Sequence, residues 1–189
     1  MAISRDKKQS LVSELAELFG TAKMTAYARY DGLSVADLQT LRRAARENGV
    51  TIKVVKNRLV RVAMQQTDAL KTTETGAMTG QLLYAISSED EVAPAQVLAT
   101  FAKTHEALQL TGAFSAEGKS LDAIVANDVS QPGIGFDSQR NAVTIISRDH
   151  VTEVLEADKC EVDHRVLDAL VRIKAARTAF RDTIKPLSS

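Results

Sequence analysis

Leu11, Val12, Leu15, Leu18 and Phe19 recur at helical spacing from about Arg5 onward, which predicts an amphipathic helix with Lys7 and Lys8 on its polar face. Gly20 is placed to end that helix in a left-handed cap. Met24 to Tyr30, a short run of small, aromatic and β-branched residues, predicts a strand closed by an Asp31-Gly32 turn. Ser34 with Asp37 three residues later resembles a capping box, and Asn48-Gly49 supplies the stop of a second helix. On it Leu38, Leu41 and Ala45 fall within about 60° of one another, with Arg42, Arg43 and Arg46 on the flank beside them. Val50, Ile52 and Val54 then alternate with Thr51, Lys53 and Val55, a strand pattern that sends Lys53 away from the main apolar face. Asn57, a strong N-cap residue, predicts the start of a third helix that carries Arg58, Arg61 and Gln65 along one side.

Residues 67–80 are rich in Thr and Gly and read as a loop with one turn of helix. Gln81 to Ile86 predicts a strand, Asp90 to Lys103 or His105 a helix with Val97, Leu98, Phe101 and Ala102 buried, and Leu108 to Phe114 another strand before a Glu117-Gly118 turn. Pro94 fits within the first turn of that helix. Alternating helices and strands predict an α/β fold, a single sheet covered by helices in an α/β sandwich, with a C-terminal helical extension. From Leu121 the signal weakens. Asn127 to Asn141 reads as a linker, Ala142 to Ile146 as a short strand and Arg148 to Ala157 as a short helix. Val162, Val166, Leu170, Ile173, Phe180 and Ile184 then predict one amphipathic helix over Glu161 to Lys185. The expected organisation is an α/β domain over 1–122, a linker over 123–147 and a helical segment over 148–189.

Composition sharpens this picture mainly through charge. With 44% apolar residues the 189-residue chain can bury a core, and it has neither the apolar run of a secretory signal nor a stretch approaching 18 apolar residues. A cytoplasmic protein with no membrane partner is expected, and the single Cys160 fits a reducing compartment. The stretch Leu38 to Met64 holds seven basic residues (Arg42, Arg43, Arg46, Lys53, Lys56, Arg58, Arg61) against the single acid Glu47, a local charge of +6. Because 24 basic residues balance 24 acidic ones in the whole chain, everything outside that stretch carries −6. A neutral total conceals a dipole, and phosphate attraction depends on the local field within a Debye length of roughly 8–10 Å.

Clustered Arg and Lys, with a helix N-terminus expected at Asn57, suit phosphates at irregular spacing, because Arg grips a phosphate with two N–H groups and Lys adds a point charge. The chain has no Trp, and no aromatic lies between Tyr30 and Tyr84. This disfavours readers that stack single-stranded bases and favours a structured RNA bound by shape and backbone, with no DNA partner expected. The bland alternative is a charged helix face that only keeps the protein soluble. Three other signals point to no chemistry. Gly112 to Ser120 follows a strand like a phosphate-binding loop but has five residues between its glycines where four are required, and a β-turn is expected there. Cys160 and His164 lie four apart, but two ligands rarely hold a metal. Glu89, Asp90 and Glu91 sit at an expected helix N-terminus, where the macrodipole explains them. No catalytic constellation, metal site or cofactor emerges, so the chain reads as a non-enzyme.

LRRAARENGV followed by TIKVVKN and R-L-x-x-x-A, from Leu41 to Ala63, resembles the signature of the bacterial L ten family of large-subunit ribosomal proteins, which forms the stalk base. Lys8 and Val12, Gly32-Leu33-Ser34 and the block Gly80 to Lys103 extend the resemblance over about residues 3–122. It implies an α/β domain docked on large-subunit rRNA at the GTPase-associated centre, beside the eleventh protein of that subunit. The resemblance also implies a C-terminal helix that carries dimers of the acidic stalk protein, which recruit translational GTPases. The RNA-binding set is then Lys7, Lys8, Arg42, Arg43, Arg46, Lys53, Lys56, Asn57, Arg58 and Arg61. The departures are at the C-terminus, where the family's Leu-Pro segment and long helical tail give way to Asn127 to Asn141 and a strand-like Ala142 to Ile146. The only helix there of the right character offers Val162, Val166, Leu170, Ile173 and Phe180 to partner helices. A protein-interaction adaptor that uses this helix without binding RNA is the alternative.

Overall fold

The computed structural model describes residues 4–127, 140–147 and 151–183. They fall into two compact units, Met1–Leu121 and Asp122–Ser189. In the first, α1 (Arg5–Thr21) leads into β1 (Met24–Arg29), followed by α2 (Val35–Glu47), β2 (Thr51–Val54), α3 (Asn57–Gln66), a 3-10 turn (Asp68–Leu70), β3 (Leu82–Ser87), α4 (Ala93–Ala102), β4 (Gln109–Ser115) and β5 (Ser120–Leu121). The strands form one sheet in the order β2-β3-β1-β4-β5, and every neighbouring pair is antiparallel.

The pleat sends side chains to alternate faces, and helices cover both. Tyr27, Leu82, Tyr84, Ile86 and Phe114 meet Val12, Leu15 and Phe19 of α1 and Val60, Ala63 and Met64 of α3 in one core. On the other face Ala26, Ala28, Leu83 and Ala85 are buried, α4 packs on β1, β3 and β4, and α2 packs on β2 and α4. The small residues of β1 let α4 approach the sheet, which a larger side chain at Ala26 or Ala28 would prevent.

The start of α2 follows the sequence closely. Ser34 Oγ accepts from Asp37 N at 3.1 Å, and the Asp37 carboxylate accepts from Ser34 N at 3.2 Å. Gly49, at φ 65°, lets the chain turn out of the helix into β2. Gly20 does not behave as expected. Helix α1 runs through it to Thr21 and ends when Ala22 turns extended, because only Ala22 and Lys23 separate the helix from β1. The stretch that resembled a phosphate loop is a hairpin, in which Ser115 N donates to Lys119 O and Gly118 N to Ser115 O.

The second unit is a three-stranded antiparallel sheet, β6 (Ala123–Asn127), β7 (Arg140–Ser147) and β8 (Val151–Asp158), followed by α5 (Lys159–Thr183). Val143, Ile145 and Val154 pack with Val162 of α5, and Ala157, Val166, Ala169 and Ile173 close the margin. The linker expected over 123–147 begins as β6, and residues 128–139 lie outside the described set. Of the short helix expected over Arg148 to Ala157, the part from Val151 is corrected to strand β8, because it pairs along β7, and residues 148–150 lie outside the described set. No helix of the described residues is long and apolar enough to cross a membrane.

Candidate nucleic-acid interface

Strand β2 lies at the edge of the five-stranded sheet, with α2 before it on one face and α3 after it beside α1 on the other. The cations of Leu38 to Met64 therefore wrap around a sheet edge and are divided between its two sides. Arg42, Arg43 and Arg46 run along α2, and Arg46 Nε donates to Arg42 O within the helix. Lys56 and Arg58 lie where β2 passes into α3, and both are exposed. Helix α1 connects directly to β1 and runs back along it, which returns its first turn, with exposed Lys7 and Lys8, toward the end of the sheet where β1 and β2 finish.

Three members of the expected set are occupied inside the fold. Lys53 shares the face of its cross-strand partner Tyr84, not the opposite one, and its ammonium pairs with Glu14 of α1. Arg61 Nη2 donates to Met78 O at 2.8 Å and Thr75 O at 3.4 Å, which fixes the loop before β3 to α3. Asn57 is the first residue of α3 and not its cap; Lys56 occupies the cap position without a side-chain hydrogen bond. Asn57 Nδ2 instead donates to Met78 O at 3.1 Å and Gly80 O at 3.0 Å, while Tyr84 Oη donates to Asn57 Oδ1 at 3.0 Å. Burial pushes the Tyr84 phenol well above its ordinary pKa, with the neighbouring Tyr27 adding to the shift, so the hydroxyl remains a neutral donor.

Lys7, Lys8, Arg42, Arg43, Arg46, Lys56 and Arg58 form no ion pair among the described residues. All but the half-buried Arg42 are exposed, and long charged side chains without a paired carboxylate are available to a polyanion. On α5, Val162 is buried against its own sheet, and Val166 and Ile173, also expected to meet partner helices, are half-buried at the margin of that core. Leu170 is 37% exposed, and Leu167 and Val171 beside it are 60% and 66% exposed. Phe180 lies within α5, and its side chain is outside the described set. Cys160 Sγ is 3.8 Å from His164 Nδ1, but that nitrogen lies 2.6 Å from Cys160 O and belongs to the helix.

The model of the family described as Ribosomal protein L10 matches residues 3–103, the span that holds α1 to α4 and every cation of the candidate interface. A model described as DNA/pantothenate metabolism flavoprotein C-terminal domain matches residues 77–173; that span starts beyond α3 and crosses the boundary at Leu121, so it takes in neither unit whole. Large ribosomal subunit protein uL10 of Verminephrobacter eiseniae is 44% identical over 125 residues, covering 65% of this chain and 68% of the relative. The proteins of the same name from Leptothrix cholodnii and Ralstonia nicotianae are 43% and 44% identical, covering 65% of this chain and 65% and 71% of their own lengths. With so much identity over the domain that carries the basic face, the chain belongs to the ribosomal protein L10 family.

Proposed function

We propose that this ribosomal protein binds large-subunit rRNA at the GTPase-associated centre, beside the eleventh protein of the subunit, and anchors dimers of the acidic stalk protein. The observation that carries the rRNA reading is the group of seven cations without ion pairs among the described residues, Lys7, Lys8, Arg42, Arg43, Arg46, Lys56 and Arg58, on elements that meet around one sheet edge. Cations without a local carboxylate neutralise phosphates and release condensed counterions, which drives association with a folded RNA. The role is structural: the charges recognise and position, and none is paired with a nucleophile or general base. Lys53, Asn57 and Arg61 contribute by holding α1, β3 and the loop before β3 in register, with the remaining donors of Arg61 available to the RNA.

Binding of an rRNA fragment from the GTPase-associated region across a salt series tests this reading. Removing one phosphate-binding cation should reduce the slope of log affinity against log salt by about 0.7–0.9. Lys56→Glu with Arg58→Glu should weaken binding strongly and flatten that slope; a doubly reversed protein that binds like wild type would defeat the assignment. For the stalk dimers, the outward residues Leu167, Leu170 and Val171 of α5 support a docking role, since they fall at i, i+3 and i+4 on one face. Co-purification with the acidic stalk protein should be lost on removing residues 158–189 and sharply reduced by Leu167→Asp with Val171→Asp. The same exposed residues favour, as a second reading, an adaptor without RNA binding, for which the salt series would show no specific rRNA affinity.

A further inference from the structure

Arg29 is the last residue of β1, outside the basic stretch and next to Tyr30 and Asp31 in sequence. It is exposed, and it forms no ion pair with Asp31 or any other carboxylate among the described residues. Its register partner on β3 is Leu82, and Val54 of β2 is opposite Leu83, so β1 and β2 end on the same side of the sheet. Alternation along β1 puts Arg29 on the face of Tyr27, which is the α1 and α3 face. The loop before β3 makes the connection direct. A Cβ on Gly80 would lie 3.7 Å from Arg29 Nε, and the Gly80 carbonyl accepts from Asn57 Nδ2 at 3.0 Å. Arg29 and Asn57 therefore straddle one residue, and Asn57 lies between Lys56 and Arg58 in the chain. Gly80 has φ 78°, a conformation that side-chain-bearing residues rarely adopt, so this loop shape depends on glycine.

We propose that Arg29 is a further RNA-binding residue, forming with Lys56 and Arg58 one phosphodiester-binding cluster at the end of the sheet where β1 and β2 finish. The proposal rests on the rRNA reading above and adds to it a residue from a different strand. Adjacent strands are about 4.8 Å apart, so the backbones of Arg29 and the end of β2 are roughly 10 Å apart across β3, within which two long side chains converge on neighbouring phosphates. Asn57 is the positioning residue: its carboxamide ties the Gly80 carbonyl to the start of α3 and so fixes the spacing of the three cations. A folded RNA backbone, which offers phosphates at irregular spacing with no requirement for base stacking, matches a planar guanidinium beside an ammonium.

The test is a salt series with the full chain and the rRNA fragment, comparing Arg29→Gln, Arg29→Lys, Lys56→Gln and Lys23→Gln. Lys23 precedes β1 at the opposite end of the sheet and donates to Glu89 O at 2.8 Å, so it serves as a cation outside the cluster. Arg29→Gln should lower affinity three- to tenfold at low salt and reduce the slope by about 0.7–0.9, as should Lys56→Gln, while Arg29→Lys keeps the slope and Lys23→Gln leaves binding unchanged. A reduced slope for Lys56→Gln with a wild-type slope for Arg29→Gln would overturn the cluster alone. Wild-type slopes for both would overturn the cluster together with the rRNA reading beneath it.

Discussion

Gly112 stands opposite Tyr27 across the β1/β4 ladder, and a Cβ there would meet Tyr27 Oη at 2.5 Å and Cζ at 2.7 Å. Tyr27 is a core residue whose ring contacts Tyr84 and Phe114, so it has no free direction in which to move. Gly112→Ala should therefore lower stability by about 1–3 kcal/mol, read as a shift of the urea midpoint at constant m. Gly20→Ala is the matching control: nothing lies within 4 Å, the residue is helical, and a gain of roughly 0.5–1 kcal/mol is expected. Asn57→Ala should cost about 1–3 kcal/mol in the same assay, since it leaves the Gly80 carbonyl and the Tyr84 hydroxyl without their partner and the Met78 carbonyl with Arg61 alone. That role is invisible in the local sequence. Asn57 reads as a helix cap from its neighbours, but partners 21, 23 and 27 residues away are brought to it by the fold and take both ends of its carboxamide. Arg29 is hidden for the related reason that one cation beside an aspartate forms no cluster until β3 and its loop are laid next to it.

The helix starts carry the acid sensitivity of the fold. Hydrogen bonds from Ser34 hold the Asp37 carboxyl below its ordinary value near 3.8, and the backbone N–H groups of Ala93 and Val92 do the same to Asp90 at the start of α4. Lys71 and Lys119 lower Asp68 and Glu117 through ion pairs. All four groups favour the ionised form in the folded state, so their stabilisation is present above about pH 4 and is lost as the pH falls through the lowered folded values. Stability followed from pH 7 down to pH 2.5 should decline most steeply below pH 4, and Asp90→Asn should flatten that decline; an unchanged profile would count against the hydrogen bonds that Asp90 accepts from Val92 and Ala93. Ser34→Ala should cost about 1 kcal/mol at neutral pH. The start of α2 was legible in sequence because capping is local chemistry within three residues, whereas α4, expected from Asp90, starts at Ala93. Strand β8 was not legible. Val151, Val154 and Leu155 fall at i, i+3 and i+4, the spacing of a helix, yet Val154 faces α5 while Leu155 is 74% exposed on the opposite side. An exposed apolar residue on the face away from the helix erases the alternation that marks a strand. Strand β6 is lost to sequence reading in a similar way, since its five residues gain their meaning only from pairing with β7 across residues 128–139.

At the scale of the whole molecule the two units differ in how much they bury. Among the described residues the first buries a long series on both faces of its sheet, whereas the second buries only Ala126, Val143, Ile145, Ile146, Val154 and Val162, with a half-buried margin. Small cores leave little surplus over conformational entropy, so the second unit should be the weaker one. Thermal unfolding of the full chain is expected in two steps, with loss of α5 helicity in the lower one. Val162→Ala, which opens a space beneath α5, should cost on the order of 1–3 kcal/mol and lower the first step by several degrees. The second step and the salt slope of rRNA binding should be unchanged, because every cation of the interface lies in the first unit. Circular dichroism melts of wild type and Val162→Ala, combined with the salt series, check this directly. A single transition that Val162→Ala shifts as a whole would mean that the two units unfold as one, and the weakness of the tail would then extend to the RNA-binding face.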